Sequence, residues 1–254
     1  MPSSSRKKRL ASAANRFHRN LFRPESLSAY EYWTGESRGL SDETIRRFML
    51  GVVGSDDREY GDKAGWLTIP YITVTGIVDI RFRRPPESES KAKYKSLPGS
   101  TPRLFNATAT LNPSDTIFVA EGEGDAMVLA QCGLNAVGVP GASNWSRKFA
   151  LTLAGFKDVC ICRDNDAAGE KLAGNIAKDI EASRTVVFDE KDVTDFYLAH
   201  GREALLEKLK PEEDEGDDDY DEYGYAEEAD TQAEDFDWEP VEGFEGDAED
   251  QGPQ

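Results

Sequence analysis

The 254-residue chain is poor in metal-binding and cross-linking side chains, with three cysteines (Cys132, Cys160 and Cys162) and two histidines (His18 and His200). The cysteines form no CxxC pair and no even set. Neither a disulfide framework nor a zinc ribbon or finger is expected, and a reducing cytoplasmic setting fits best. No apolar run approaches the roughly 18–20 residues that span a bilayer, so no membrane partner is expected. The N-terminus has no apolar core of a secretory signal, and no GxxxxGK[ST] loop of a P-loop ATPase or helicase occurs. Positive charge is absent from one end. From Pro211 to Gln254 there is no Lys or Arg but 21 of the 49 acids. Setting that stretch aside turns a net charge of −19 into 28 acids against 30 bases. A near-neutral body with local basic clusters is compatible with nucleic acid, which the bulk charge hides.

Four stretches follow from composition. Residues 1–24 lack acids and are rich in Arg and Ser; they read as a basic flexible leader or an arm touching nucleic acid. The same composition resembles an organelle transit peptide, and Arg6-Lys7-Lys8-Arg9 resembles a nuclear signal. Residues 211–254 read as a disordered acidic tail, because like charges repel and little apolar surface is available to bury. Its spaced aromatics, among them Tyr220, Tyr223 and Trp238, suit docking on a basic surface or a solubilising role equally.

Residues 25–113 read as a mixed α+β subdomain. Ser41 is placed to cap a helix with Asp42 and Glu43 in its first turn, running through Ile45 and Phe48 to Gly51. Trp66–Tyr71 reads as a strand ending near Pro70. After a turn at Gly76, Ile77–Arg83 alternates: Val78, Ile80 and Phe82 on one face, Asp79, Arg81 and Arg83 on the other. The two guanidiniums then lie on an exposed sheet face, either solvated or set against a ligand. Lys91, Lys93 and Lys95 follow in a polar loop.

Residues 114–210 alternate strand and helix. Strands are expected at 116–120, 135–139, 158–162 and 185–188. Helices are expected at about 125–131, 146–153, 168–182 and 194–210, the last broken near Gly201. This rhythm, with nearly continuous apolar strands, implies a four-stranded parallel sheet flanked by helices. Ligands of such sheets sit outside the carboxyl ends of the strands. The acids gather there. Glu121 follows the first strand, Asp164 and Asp166 the third, Asp192 and Asp195 the fourth. Carboxylates so dense repel unless cations neutralise them, and Mg²⁺ or Mn²⁺ prefers oxygen ligands. Asp195 is expected as a helix N-cap rather than a ligand, Glu123 as solvent-facing, and Cys160 and Cys162 as buried strand residues.

Glu121-Gly122-xx-Asp125 followed by Asp164-x-Asp166-xx-Gly169 resembles the Toprim domain shared by bacterial-type primases, topoisomerases, certain nucleases and RecR-like proteins. The resemblance implies Glu121 as the acid/base or metal-positioning glutamate, Asp164 and Asp166 as Mg²⁺ ligands, and Asp192 assisting. Upstream, Arg38-Gly39-Leu40-Ser41, Ile69-Pro70-Tyr71, Ile80-Arg81-Phe82-Arg83 and Lys93-Tyr94 resemble the N-terminal subdomain of a DnaG-type primase core. That likeness implies template or nucleotide contacts for Arg81, Arg83 and Lys93, with Lys191 beside the acids. Unlike full-length bacterial primases, this sequence has no cysteines for a zinc domain, and its tail does not resemble a helicase-binding domain. It is similar to a minimal core of the kind found in phages or mobile elements, acting in a bacterial host cytoplasm.

The reading favoured by these features is a DNA primase making short RNA primers on single-stranded DNA from ribonucleoside triphosphates. A separate helicase, and a zinc-binding or single-strand-binding protein, would work alongside it. The same acids would serve a metal-dependent Toprim nuclease, and a catalytically silent single-stranded DNA-binding accessory is the third reading.

Overall fold

The computed structural model describes residues 2–86 and 88–211. The tail expected at 211–254 lies, from residue 212 onward, outside the described residues.

The first 24 residues do not form a flexible leader. Ser4–Leu21 is an α-helix (α1), with the Ser3 hydroxyl accepting from Arg6 N at its start. Leu10, Ala13, Ala14, Phe17 and Leu21 recur at helical spacing and are buried. They form the apolar stripe that composition alone conceals under the basic residues. Burying a side chain the size of Leu or Phe contributes about 1.5–3 kcal/mol. Leu10 and Phe17 pack with Ile80 and Phe82, and that gain fixes the helix in place. Lys7 Nζ donates to Thr75 Oγ1 at 2.8 Å and Arg6 Nη2 to the Pro98 carbonyl at 3.0 Å. The basic face therefore also binds back onto the body.

Helix α2 (Leu27–Thr34) follows. Helix α3 (Asp42–Arg47) begins at the expected cap, where Ser41 Oγ accepts from Thr44 N at 3.2 Å. An antiparallel sheet of order β1-β2-β3-β4 comes next: β1 Gly51–Val52, β2 Leu67–Thr73, β3 Gly76–Arg83 and β4 Tyr94–Lys95. β4 lies within the stretch expected as a polar loop. β2 continues past Pro70 to Thr73. β1 pairs only with Leu67 and Thr68, so Pro70 lies where the outer edge of β2 has no neighbour and a missing N–H is tolerated. The register of β2 on β3 shifts between Tyr71 and Ile72. This bulge inverts the alternation at one point. Val78 joins the core of Ile69 and Tyr71, whereas Ile77 lies with Ile80 and Phe82 against α1. Val78 was expected on the Ile80 face.

The parallel sheet has the order β6-β5-β7-β8: β5 Thr116–Ala120, β6 Ala136–Gly138, β7 Asp158–Arg163 and β8 Ser183–Val187. Its helices are α4 (Glu123–Gln131), α5 (Arg147–Leu153), α6 (Ala167–Asp179) and α7 (Val193–Lys208). The last bends at Gly201, where φ is +84°. Ile117, Val119, Val159 and Ile161 face α5 and α6. Phe118, Ala120, Cys160 and Cys162 face α4 and α7. Both faces are covered, as continuous apolar strands require. Tyr71 and Val78 of the antiparallel sheet share a core with Phe118 and Ala126. Phe105 bridges Gly138 at the β6 edge, so the chain reaches the second sheet before residue 114. Among the described residues no helix is long and apolar enough to cross a membrane.

Candidate active site

The acidic rim forms at the carboxyl ends of β5 and β7. Gly122 turns the chain from β5 into α4 at φ +121°, a conformation that side chains disfavour. The β7 turn closes on Gly169, where an added Cβ would lie 2.3 Å from the Asp164 carbonyl oxygen. A third loop reaches the rim through a backbone hydrogen bond, Asn165 N donating to the Lys191 carbonyl at 2.8 Å.

Asp125, Asp164 and Asp192 offer carboxylate oxygens that all lie within 4.8 Å of one another. Asp125 is buried in the first turn of α4, where its Oδ1 accepts from Thr194 Oγ1 at 2.6 Å and Thr194 N at 3.1 Å. Burial and the neighbouring Asp192 push its carboxyl up. Burial, then the charge of Asp125 and Glu121, pushes Asp164 up to about 8. Burial and Asp166 raise Glu121. Asp164 Oδ1 and Glu121 Oε2 are buried without a hydrogen-bond partner. An all-oxygen set, mutually repelling and with orphaned acceptors, fits a hard divalent cation.

Of the residues expected from sequence, Asp164 and Asp192 belong to this cluster. Glu121 and Asp166 sit beside it. Asp166 caps α6, its Oδ1 accepting from Ala168 N at 2.9 Å and Gly169 N at 2.8 Å. The cap of α7 is Asp192, which accepts from Asp195 N at 2.9 Å, and not Asp195 as expected. Asp192 therefore both starts a helix and faces the other acids. Asp125 was legible only as part of the EGxxD pattern. Its place in the first turn after a strand-end glycine was the available signal.

The cations lie across from the acids. Arg81 does not sit on a solvated face. Its Nη1 donates to Glu123 Oε1 at 2.6 Å, and Tyr71 Oη donates to the same oxygen at 2.6 Å. Glu123, expected to face solvent, is buried there. The Arg81 guanidinium also lies 4.1 Å from the Tyr94 ring centroid. Arg83 hydrogen-bonds Tyr94 Oη and lies 5.2 Å from the Tyr32 ring centroid. Tyr32 Oη accepts from Arg38 Nε at 3.0 Å. Tyr32 belongs to α2, whose Ala29, Tyr32 and Trp33 are buried at helical spacing, a signal that could have revealed it. Desolvation and the nearby charges of Arg83, Lys191 and Arg38 lower the pKa of Lys93. Lys191 Nζ lies 3.2 Å from Asp192 Oδ2, and that carboxylate raises it. Arg38, Arg83, Lys93 and Lys191 thus form one positive group.

A Toprim-like family model matches residues 118–197. Gene 57 protein of Mycobacterium phage D29 is 35% identical over 151 residues, covering 57% of this chain and 98% of that protein. The RNA polymerase domain of Mycobacterium tuberculosis primase DnaG superposes with a TM-score of 0.69 at 22% identity, over 82% of this chain and 84% of that one. The same domain in complex with a double-stranded DNA bearing a 6-nucleotide overhang gives 0.66 at 21%, over 82% and 81%. The primase fragment of the bacteriophage T7 primase-helicase gives 0.54 at 22%, over 68% and 72%. The fold and rim define a Toprim-domain protein on the DnaG primase catalytic-core fold. Within that class, the chain belongs to the family of the phage D29 gene 57 protein.

Proposed function

We propose that this chain is a DNA primase that joins ribonucleotides on a single-stranded DNA template. The observation that carries this reading is one cluster of three carboxylates, Asp125, Asp164 and Asp192, facing the cations Arg83, Lys93, Arg38 and Lys191. The two charge patterns suit the two ends of nucleotidyl transfer. Asp125, Asp164 and Asp192 would hold Mg²⁺ or Mn²⁺, with Glu121 and Asp166 at the edge of the same rim. A divalent ion there supplies charge neutralisation and Lewis acidity toward a triphosphate. Glu121, its carboxyl raised by burial, is suited to accept the proton of an attacking 3′-hydroxyl. Arg83, Lys93 and Lys191 bind triphosphate or template phosphates, and Arg81 fixes β3 against α4 through Glu123. The DNA-bound DnaG domain supports single-stranded DNA as template, and the primase-helicase relative supports a helicase as partner.

The test incubates the full chain with single-stranded DNA, the four ribonucleotides and Mg²⁺ or Mn²⁺, beside Asp164→Ala. The expected result is short RNA from the unsubstituted protein only. Template degraded without ribonucleotides would point instead to a nuclease. DNA binding with no turnover under any of these conditions would leave an accessory binding protein.

A further inference from the structure

Helix α1 contains no acid and divides its side chains between two faces. Leu10, Ala13, Ala14 and Phe17 pack with Ile77, Ile80 and Phe82 on one side of the antiparallel sheet. The opposite stripe, Ser4, Lys8, Ser12, Asn15 and Arg19, is exposed along its whole length. Steps of three and four residues keep these side chains on one line of the helix. Other bases of α1 are already engaged. Arg9 pairs with Glu59 at 3.4 Å and Arg16 with Asp57 at 2.7 Å, while Lys7 and Arg6 bond Thr75 and the Pro98 carbonyl. Lys8 and Arg19 form no ion pair among the described residues. Past the helix the stripe continues into Phe22, 38% exposed, with the Arg46 guanidinium 4.6 Å from its ring centroid. Arg46 is likewise exposed, with no ion pair among the described residues. The stripe faces away from the rim. Ile80 and Phe82 of β3 point to α1, whereas Arg81 between them reaches Glu123.

We propose that the exposed stripe of α1, continued by Arg46, is a docking face for duplex DNA that grips the sugar–phosphate backbone without reading bases. The contact goes beyond the primase reading and is independent of the chemistry at the rim. Short hydroxyl and amide side chains set between cations are the groups that bond phosphate oxygens and sugars. From Lys8 to Arg19 the stripe runs about 16 Å, the rise of about five nucleotides along one strand. A single strand would need rings on which to stack its bases, and the one aromatic side chain here, Phe22, is covered by Arg46. An anionic membrane would need an apolar face to insert, and that face of α1 is spent on the sheet. A protein partner is met chiefly by aromatic residues and methionine at its centre, where this stripe offers Ser12 and Asn15.

The experiment uses the full chain and a labelled blunt duplex of about 20 base pairs, read by anisotropy across a series of salt concentrations. Two phosphate contacts are removed in Lys8→Ala/Arg19→Ala, so the slope of log affinity against log salt should flatten by about 1.8 and affinity should fall about ten-fold. Ser12→Glu sets a negative charge in the middle of the stripe and should weaken the duplex at least as much. Lys157→Ala/Lys178→Ala removes two exposed lysines from the other half of the chain and should leave affinity within about two-fold. All these sites are exposed, so thermal melts should stay near that of the parent. Equal weakening by both double variants would mean bulk charge and overturns the docking face, as does unchanged duplex affinity in Lys8→Ala/Arg19→Ala or Ser12→Glu. Vesicles rich in phosphatidylserine that bind the parent but not these variants, with the duplex unaffected, would assign the stripe to a membrane instead. Primer synthesis on a short single strand separates the two readings. It should persist in Lys8→Ala/Arg19→Ala, and its absence from the parent would remove the primase reading while duplex binding still decides the stripe.

Discussion

Arg81 and Glu123 join β3 of the antiparallel sheet to the start of α4 through one buried charge pair, Nη1 to Oε1 at 2.6 Å, with side chains 18% and 1% exposed. Removing one partner of such a pair strands the other without compensation, so Glu123→Ala should destabilise the protein by about 3 kcal/mol. Tyr71→Phe removes only one hydrogen bond to the same oxygen and should cost about 1 kcal/mol. Urea midpoints at constant slope measure both.

Asp192 has two duties that one substitution can separate. Serine caps a helix nearly as well as aspartate but brings no charge to the rim. Asp192→Ser should therefore unfold at a temperature no lower than that of the parent yet lose primer synthesis. Asp192→Ala should lose both, with about 1 kcal/mol of stability gone with the cap. Thermal melts and primer assays on the pair give the comparison.

Crowding Asp125, Asp164 and Asp192 within 4.8 Å strains the metal-free rim electrostatically. Asp164→Asn relieves it, so the thermal midpoint of the metal-free protein should rise. The parent should gain stability from Mg²⁺, about 1.4 kcal/mol at ten times the dissociation constant. The variant should not respond. Chelation with EDTA should return the parent to its lower midpoint.

Gly169 sits where a methyl group would meet the Asp164 carbonyl oxygen at 2.3 Å. Backbone must move to admit it, so Gly169→Ala should cost about 1–3 kcal/mol. The shift would displace Asp164, and Mg²⁺-induced stabilisation should weaken in parallel. Calorimetry with and without the ion tests both effects.

Asp57 fastens α1 to the loop after β1. Its Oδ2 accepts from Arg16 Nε at 2.7 Å, and its Oδ1 from Tyr60 N at 2.8 Å and Glu59 N at 3.0 Å. Burial pushes the carboxyl up, but the guanidinium and the two amides outweigh it and hold it below its ordinary value. A depressed native pKa means the unfolded chain binds the proton first. The contribution is complete above the unfolded value of about 3.9 and is lost as pH falls through the native one. Asp57→Asn should be less stable than the parent at neutral pH, and the gap should close in the acid range. Urea titrations at stepped pH follow it.

The parallel half was legible because its strands are apolar runs ending in glycine turns, so each acid could be placed at a strand end. The first helix was misread because composition weighs Arg and Lys, while its apolar residues are visible only by their spacing from Leu10 to Leu21. Glu123 and Asp125 escaped for another reason. Their partners are remote: Arg81 and Tyr71 lie 42 and 52 residues before Glu123, and Thr194 lies 69 after Asp125. No local pattern encodes such meetings. The bulge at Val78 is similar, since it follows from how β2 pairs with β3 and not from either strand alone.

Thr194, which holds Asp125 in place, and Asp192, which completes the cluster, both stand at the start of α7. A chain emerging from the ribosome therefore carries its positive face and the first carboxylates long before the rim can close. Since domains generally fold as synthesis proceeds, the three-carboxylate cluster stays incomplete until α7 docks. Premature termination anywhere before residue 192 yields fragments with an incomplete acidic centre.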